Sequence, residues 1–156
     1  MKIAVACDHA GYPLKDFVIQ AVIAKGHEVI DLGTNNTVAV DYPDFAERIG
    51  RSILSGEAKR GVLICGSGVG ASIAANKIRG IYAGVCHDTY SAHQAVEHDD
   101  MNVLCLGARV IGPELALEIV RQFIEARFIG NDPGEERHQR RVNKIKKMEN
   151  SFLKEM

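Results

Sequence analysis

Neither sign of charge dominates this chain: 19 Lys and Arg stand against 20 Asp and Glu, a formal net charge of −1 at pH 7. That balance argues against nucleic acid as a general partner, because gripping a phosphate backbone needs a clear basic excess. No apolar run approaches the roughly 18 residues of a membrane span, so no membrane partner is expected. The four cysteines, Cys7, Cys65, Cys86 and Cys105, lie far apart, with no CxxC pair and no Cys/His zinc spacing, so no metal is expected. The opening run, Met1-Lys2-Ile3-Ala4-Val5-Ala6-Cys7, has one basic residue and too short an apolar stretch for a signal peptide. It reads as a first strand, and the thiols read as reduced in a cytoplasmic protein. Internal repeats and low-complexity segments are absent.

What remains is an ordinary globular composition. The 156 residues are 46% apolar and 25% charged, which fits one domain over residues 1–156 with a sizeable core. Strand-like and helix-like segments alternate along it. Lys2–Cys7 reads as a strand, Pro13–Lys25 as a helix with proline suited to its first turn, and His27–Leu32 as a second strand. A polar loop leads to a helix over Pro43–Ser55, closed by Gly56. A third strand ends at Cys65, a helix covers Ala71–Lys77, and strands are expected at Ile81–Cys86 and Asn102–Leu106. Helices over Thr89–Glu97 and Pro113–Arg127 follow these two. Such alternation predicts βαβ crossovers and a parallel sheet covered on both faces. Beyond the turn at Gly130-Asn131-Asp132-Pro133-Gly134, a charged segment from about residue 135 to 156 carries Val142, Ile145, Met148 and Phe152 at spacings of three and four. It reads as a C-terminal helical extension whose narrow apolar stripe docks on its own domain or on a partner subunit.

The segment with most chemistry is Cys65-Gly66-Ser67-Gly68-Val69-Gly70. An apolar, β-branched strand precedes it and an Ala-rich helix follows. Alternate glycines let backbone N–H groups turn toward a bound oxyanion, and the helix N-terminus adds partial positive charge. A cysteine beside such a ring of donors is the equipment of a base or nucleophile acting on a carbonyl or phosphorylated substrate. In a parallel sheet the ligand sits at the carboxyl ends of the strands, where Asp8, His9, Asp41, Cys65, His87, Asp88 and Arg109 all fall.

Plainer readings stand beside these. Gly66 to Ala71 also satisfies a loose G-x-G-x-x-A dinucleotide pattern with Asp88 beyond it, but on the third strand and without a second mononucleotide half. No Walker A lysine follows the loop, and no Cys-x5-Arg phosphatase loop is present. Asp8-His9 is a common helix-turn cap, and His98 sits in a polar run of the kind that ends a helix. Arg137 and Arg141 share a helix face at i,i+4, an arrangement suited to a phosphate. His27, His87 and His93 read as structural.

Taken together, Asp8-His9-Ala10-Gly11, Asp41-Tyr42-Pro43, the Cys65 loop, Ser72-Ile73-Ala74-Ala75-Asn76-Lys77, Glu97-His98-Asp99-Asp100-Met101-Asn102-Val103-Leu104 and Arg137-His138-Gln139-Arg140-Arg141 closely resemble the ribose-5-phosphate isomerase B family. That family also holds the galactose-6-phosphate isomerase subunits. The resemblance implies a Rossmann-like α/β/α sandwich with a five-stranded parallel sheet, and cofactor-free, metal-independent interconversion of aldose and ketose phosphates. By matching motif it implies Cys65 as the base at C2. It likewise implies Ser67 and the N–H groups of Gly66, Gly68, Val69 and Gly70 as the oxyanion hole and His98 as the ring-opening acid. Asp8 and His9 are implied at the sugar hydroxyls, and Arg109, Arg137 and Arg141 at the phosphate, with sites shared across a homodimer or dimer of dimers. A six-carbon substrate of the galactose- or allose-6-phosphate type is the alternative within the family, and a non-catalytic sugar-phosphate or nucleotide binding module the alternative outside it.

Two departures from the pattern bear on substrate. Asp99 stands where the family often has Asn, and an ionised carboxylate cannot donate a hydrogen bond. The turn before Arg137 is lengthened by Asp132-Pro133-Gly134-Glu135-Glu136, whose carboxylates are placed to weaken the phosphate site or to set the position of the arginine helix. Ala71 occupies the place where some members carry a Glu base, which leaves Cys65 for that role.

Overall fold

A computed structural model describes residues 1–152. Its order is β1 (Lys2–Cys7), α1 (Tyr12–Ala24), β2 (Glu28–Asp31), α2 (Tyr42–Leu54), β3 (Arg60–Cys65), α3 (Val69–Ala75), β4 (Ala83–Val85), α4 (Thr89–Asp99), β5 (Val103–Gly107), α5 (Pro113–Glu125) and α6 (Glu136–Phe152). The five strands form one parallel sheet in the order β2-β1-β3-β5-β4. The expected three-layer α/β/α sandwich is the observed one.

The alternation of strand side chains sorts the core into two halves. Ile3, Val5, Val62, Ile64, Leu104 and Leu106 face α1, α4 and α5. Ala4, Ala6, Leu63, Cys65, Val103 and Cys105 face α2 and α3. The helix after β1 therefore covers one face and the helix after β2 the other. Between β1 and β3 the chain reverses direction across the sheet, and the loops beyond their carboxyl ends part to leave a crevice.

Some boundaries differ from the sequence expectation, each for a local reason. The helix after the glycine loop begins two residues early, at Val69, because Gly68 takes a left-handed φ of 81° and turns the chain straight into it. β4 is three residues long rather than six. Ile81 is drawn into the core, and the Tyr82 N–H donates to the Asn102 side chain at 2.8 Å, ahead of the ladder. α4 continues two residues further than expected, to Asp99, and ends where Asp100 adopts φ 57°. α5 stops at Glu125 because the Arg60 guanidinium takes the carbonyls of Phe123 and Ala126 at 2.7 and 2.8 Å. Of the apolar stripe on α6, Val142 is buried on its own domain, while Ile145, Met148 and Phe152 stay exposed. The expected extension to residue 156 passes beyond the described residues.

Candidate active site

At the crevice between β1 and β3 lies a cleft of about 370 Å³, walled by Asp8, His9, Tyr42, Cys65, Ser67, Gly70 and Arg109 together with Ala10, Gly66 and Val110. A larger groove of about 870 Å³ opens at the opposite, amino edge of the sheet among Lys2, Arg60, Tyr82 and Lys146. Asp100, Met101 and Asn102 of the Glu97–Leu104 motif line it, but none of the candidate catalytic or substrate-binding residues does, so the smaller cleft is the candidate site.

Cys65 ends β3 with only 5% of its surface exposed, and the Gly68 N–H donates to its Sγ at 3.0 Å. The left-handed turn at Gly68 is what aims that N–H back at the sulfur. Burial pushes the other thiols up, Cys7 and Cys86 to about 11 and Cys105 further still. Those three remain protonated thiols at neutral pH, as the plain reading of them requires. The Ser67 hydroxyl oxygen accepts the Val69 N–H at 3.2 Å at the start of α3 and keeps its own proton to donate.

Asp8 is buried, and its Oδ1 accepts the Gly11 N–H at 2.9 Å. The expected turn cap is thus present, and the same carboxylate lines the cleft. His9 Nδ1 lies 3.2 Å from both the N–H and the carbonyl of Val40, which ties the ring to the loop after β2. That loop is anchored in turn by buried Lys15, whose Nζ donates to Asp31, Thr34 and Asn35 at 2.9 Å each. Arg109 donates its backbone N–H to Gly66 at 3.0 Å and lays its side chain beside that glycine.

Tyr42, not Asp41, is the residue that this loop delivers to the cleft. Its ring presses on Gly70 so closely that a Cβ there would stand 2.8 Å from Cζ. Position 70 therefore admits no side chain without moving Tyr42. The tyrosine was visible in the sequence only as a motif member before Pro43, with nothing in its spacing to mark it. His87 proves structural, its Nε2 accepting the Gly107 N–H at 2.9 Å. Asp88 caps α4 by accepting the Ser91 N–H at 2.7 Å, and those bonds hold its carboxyl below the usual range. The acid needed for a dinucleotide ribose is thereby engaged elsewhere.

The remaining expected residues do not join the cleft within one chain. Register pairs Cys65 with Gly107 at the carboxyl edge and Gly61 with Val103 at the amino edge. α4 returns from the first edge to the second, so His98 and Asp99 in its last turn lie across the sheet from Cys65. There the His98 ring stacks on His138 with centroids 4.0 Å apart. His98 Nδ1 is 2.9 Å from Gln94 Nε2, and its Nε2 is 3.6 Å from Glu97. His138 is 3% exposed. Burial, then the neighbouring His98 and Arg137, hold its proton affinity below that of a free histidine. Sequence reading passed over this residue, although it continues the α6 stripe backward from Val142 at i,i+4. Arg137 and Arg141 lie on the exposed side of the same helix. Among the described residues no three His, Cys, Asp or Glu side chains converge as a metal site, and no helix is long and apolar enough to cross a membrane.

Fold and cleft together define a doubly wound α/β protein with a cleft at the carboxyl edge of its sheet and a cysteine at the head of a glycine loop. Within that class the chain belongs to the Ribose/Galactose Isomerase family, whose model matches residues 3–145. It is 45% identical over 148 residues to ribose-5-phosphate isomerase B of Escherichia coli (strain K12), covering 95% of this chain and 96% of that one. It is 43% identical over 131 residues to D-erythrulose-4-phosphate isomerase of Pectobacterium atrosepticum, covering 83% and 86%. The structure of Clostridium thermocellum ribose-5-phosphate isomerase B superposes with a TM-score of 0.91 at 46% identity, covering 97% of this chain and 99% of that one.

Proposed function

We propose that this protein interconverts ribose 5-phosphate and ribulose 5-phosphate. The observation that carries the reading is the placement of Cys65 Sγ, 3.0 Å from the Gly68 N–H in a cleft lined by Asp8 and His9, in a chain of this family. The Cys65 thiolate removes the C2 proton of the open-chain aldose, and the electron pair moves through C1 onto O1 as an enediolate. Donors of the loop, the Ser67 hydroxyl and the N–H groups of Gly66 and Gly70, take up the growing negative charge, while the Gly68 N–H holds Cys65 Sγ and the Val69 N–H holds the Ser67 hydroxyl oxygen. One such donor is worth about 2.7–4 kcal/mol of transition-state stabilisation. The Cys65 thiol then returns the proton to C1 while the O2 proton moves to O1, which leaves the ketose and regenerates the thiolate. Asp8 and His9 hold the sugar hydroxyls, and Arg109 approaches the phosphate.

His98, Asp99, Arg137 and Arg141 serve the same reaction from a second copy of the chain. A two-fold dimer sets the amino edge of one subunit against the carboxyl edge of the other, so each cleft is completed by its neighbour. Val69, Ile73 and Val110 are exposed at or beside the cleft, 53, 59 and 57% accessible, and supply an apolar rim for that contact. The free thiols suit a reducing compartment, the cytoplasm.

A panel of pentose and hexose phosphates, assayed with and without EDTA, tests this directly. Ribose 5-phosphate should turn over fastest, and exhaustive chelation should leave the rate intact, since the loop N–H groups do the work a Lewis acid would do. Loss of activity restored by one added metal would point to a different isomerase mechanism. Turnover confined to six-carbon phosphates would select the alternative substrate, and none at all would leave a binding module. His98 has its own signature. His98→Asn should slow the closed-ring pentose phosphate by about 10²-fold or more, the usual worth of a general acid. A substrate that cannot cyclise should be affected far less, because no hemiacetal has to open. Equal losses on both would assign His98 to binding or structure.

A further inference from the structure

The turn before α6 brings a carboxylate to Arg137. Glu135 Oε2 stands 2.7 Å from Arg137 Nη1 and 3.3 Å from His138 Nε2. Both Glu135 Oε2 and His138 Nε2 are shielded from solvent, and neither makes a hydrogen bond of good geometry. Arg137 also spends Nη1 on the Gly134 carbonyl at 3.1 Å. So an anion already occupies the corner formed by Arg137, His138 and the first turn of a 17-residue helix, but it fits badly. A carboxylate confined by the short turn of its own backbone cannot align with both nitrogens. A free phosphate has more oxygens and no tether, and can meet each donor at a proper angle.

We infer that Glu135 is a built-in competitor for the substrate phosphate, occupying the arginine and histidine of the clamp until a phosphorylated sugar displaces it. This rests on the proposed role of Arg137 as a phosphate ligand and adds a specificity element to it. Sugars without a phosphate cannot displace the carboxylate, so the clamp opens only to an anion that binds better than Glu135 does. Wild-type affinity for phosphate is accordingly lower than the same clamp could reach. The ion pair is partly solvated, with Arg137 and Glu135 side chains 46 and 32% exposed, which limits the effect to the modest worth of such a pair.

The test is competitive inhibition by inorganic phosphate, with the KM for ribose 5-phosphate, in E135Q and E135A beside the wild type. Both variants remove the charge, one preserving side-chain shape and the other removing any misplaced amide contact. The inhibition constant and KM should both fall by about two- to five-fold, the range of a partly exposed ion pair, with inhibition by free ribose unchanged. In an R137A background the gain from E135Q should largely disappear, since the charged partner that the carboxylate holds is gone and only the His138 contact at 3.3 Å remains. R137A alone separates this inference from the reading beneath it. If R137A weakens phosphate inhibition while both Glu135 variants match the wild type or bind worse, the competitor is overturned and the clamp stands. If R137A leaves phosphate inhibition unchanged, the clamp and the competitor fall together.

Discussion

Cys65→Ala loses C2 proton exchange almost entirely, by about 10²–10⁴-fold, the contribution of a well-placed general base. The fold survives the change. Cys65 is a small side chain at a strand end with 5% exposure, and alanine fits wherever cysteine does. The one bond lost is that from the Gly68 N–H. An orphaned buried donor costs about 1–3 kcal/mol, within the about 5–15 kcal/mol by which domains are typically stable. Incorporation of solvent deuterium into ribose 5-phosphate, followed by NMR, reads the chemistry, and a thermal melt reads the fold. A melt near the wild type with exchange above a few per cent of the wild-type rate would remove Cys65 as the base. Loss of exchange in Cys7→Ala to the same degree would also do so, because Cys7 has a thiol pushed up to about 11 and lies outside the cleft.

The second large effect comes from mixing two inactive proteins. Arg137→Ala with Arg141→Ala should raise the KM for the phosphorylated sugar strongly, with little effect on residual activity toward the free sugar. Neither this double variant nor Cys65→Ala turns over efficiently alone. If the arginines act on a neighbour's cleft, a heterodimer of the two holds one site with both defects and one site intact. Random exchange of subunits then restores about a quarter of the wild-type activity, half the dimers having one good site of two. Activity that stays flat despite demonstrated exchange would place Cys65 and the arginines in one chain's site. That outcome would require α6 to leave its position beside α4, where His138 stacks on His98 at 4.0 Å.

The layout of the cleft was legible because it depends on local signals. A short apolar run, a glycine loop and an Ala-rich run specify strand, turn and helix without reference to the rest of the chain. The same signals put Asp8, His9, Cys65 and Arg109 at strand ends, and the structure gathers them. What escaped the sequence depends on distance. Tyr42 reaches the cleft only because the loop after β2 is tied down by Lys15 and by Val40 against His9. β4 is short because Asn102, twenty residues on, takes the Tyr82 N–H. The separation of His98 from Cys65 follows from a helix that crosses the sheet, and a motif list has no direction in it. His138 looked like part of a basic run. Its burial against His98 emerges only when α6 is placed on α4, although its i,i+4 relation to Val142 was there to be seen.

α6 carries the arginines, yet it is lightly fastened. Its buried side chains are His138 and Val142, supported by Glu149, whose carboxylate accepts from the Gly80 N–H at 2.9 Å and the Tyr82 hydroxyl at 3.4 Å. Burial of one valine contributes only about 1.5–3 kcal/mol, so this helix belongs to the part of the molecule that opens most cheaply. Whatever seats it, a neighbouring subunit or a phosphate in its first turn, does so by mass action. If Arg137 grips the substrate phosphate and a neighbouring subunit packs on this helix, as proposed above, substrate affinity and subunit assembly draw on a single equilibrium, the docking of α6, and each strengthens the other without any rearrangement of the sheet between them.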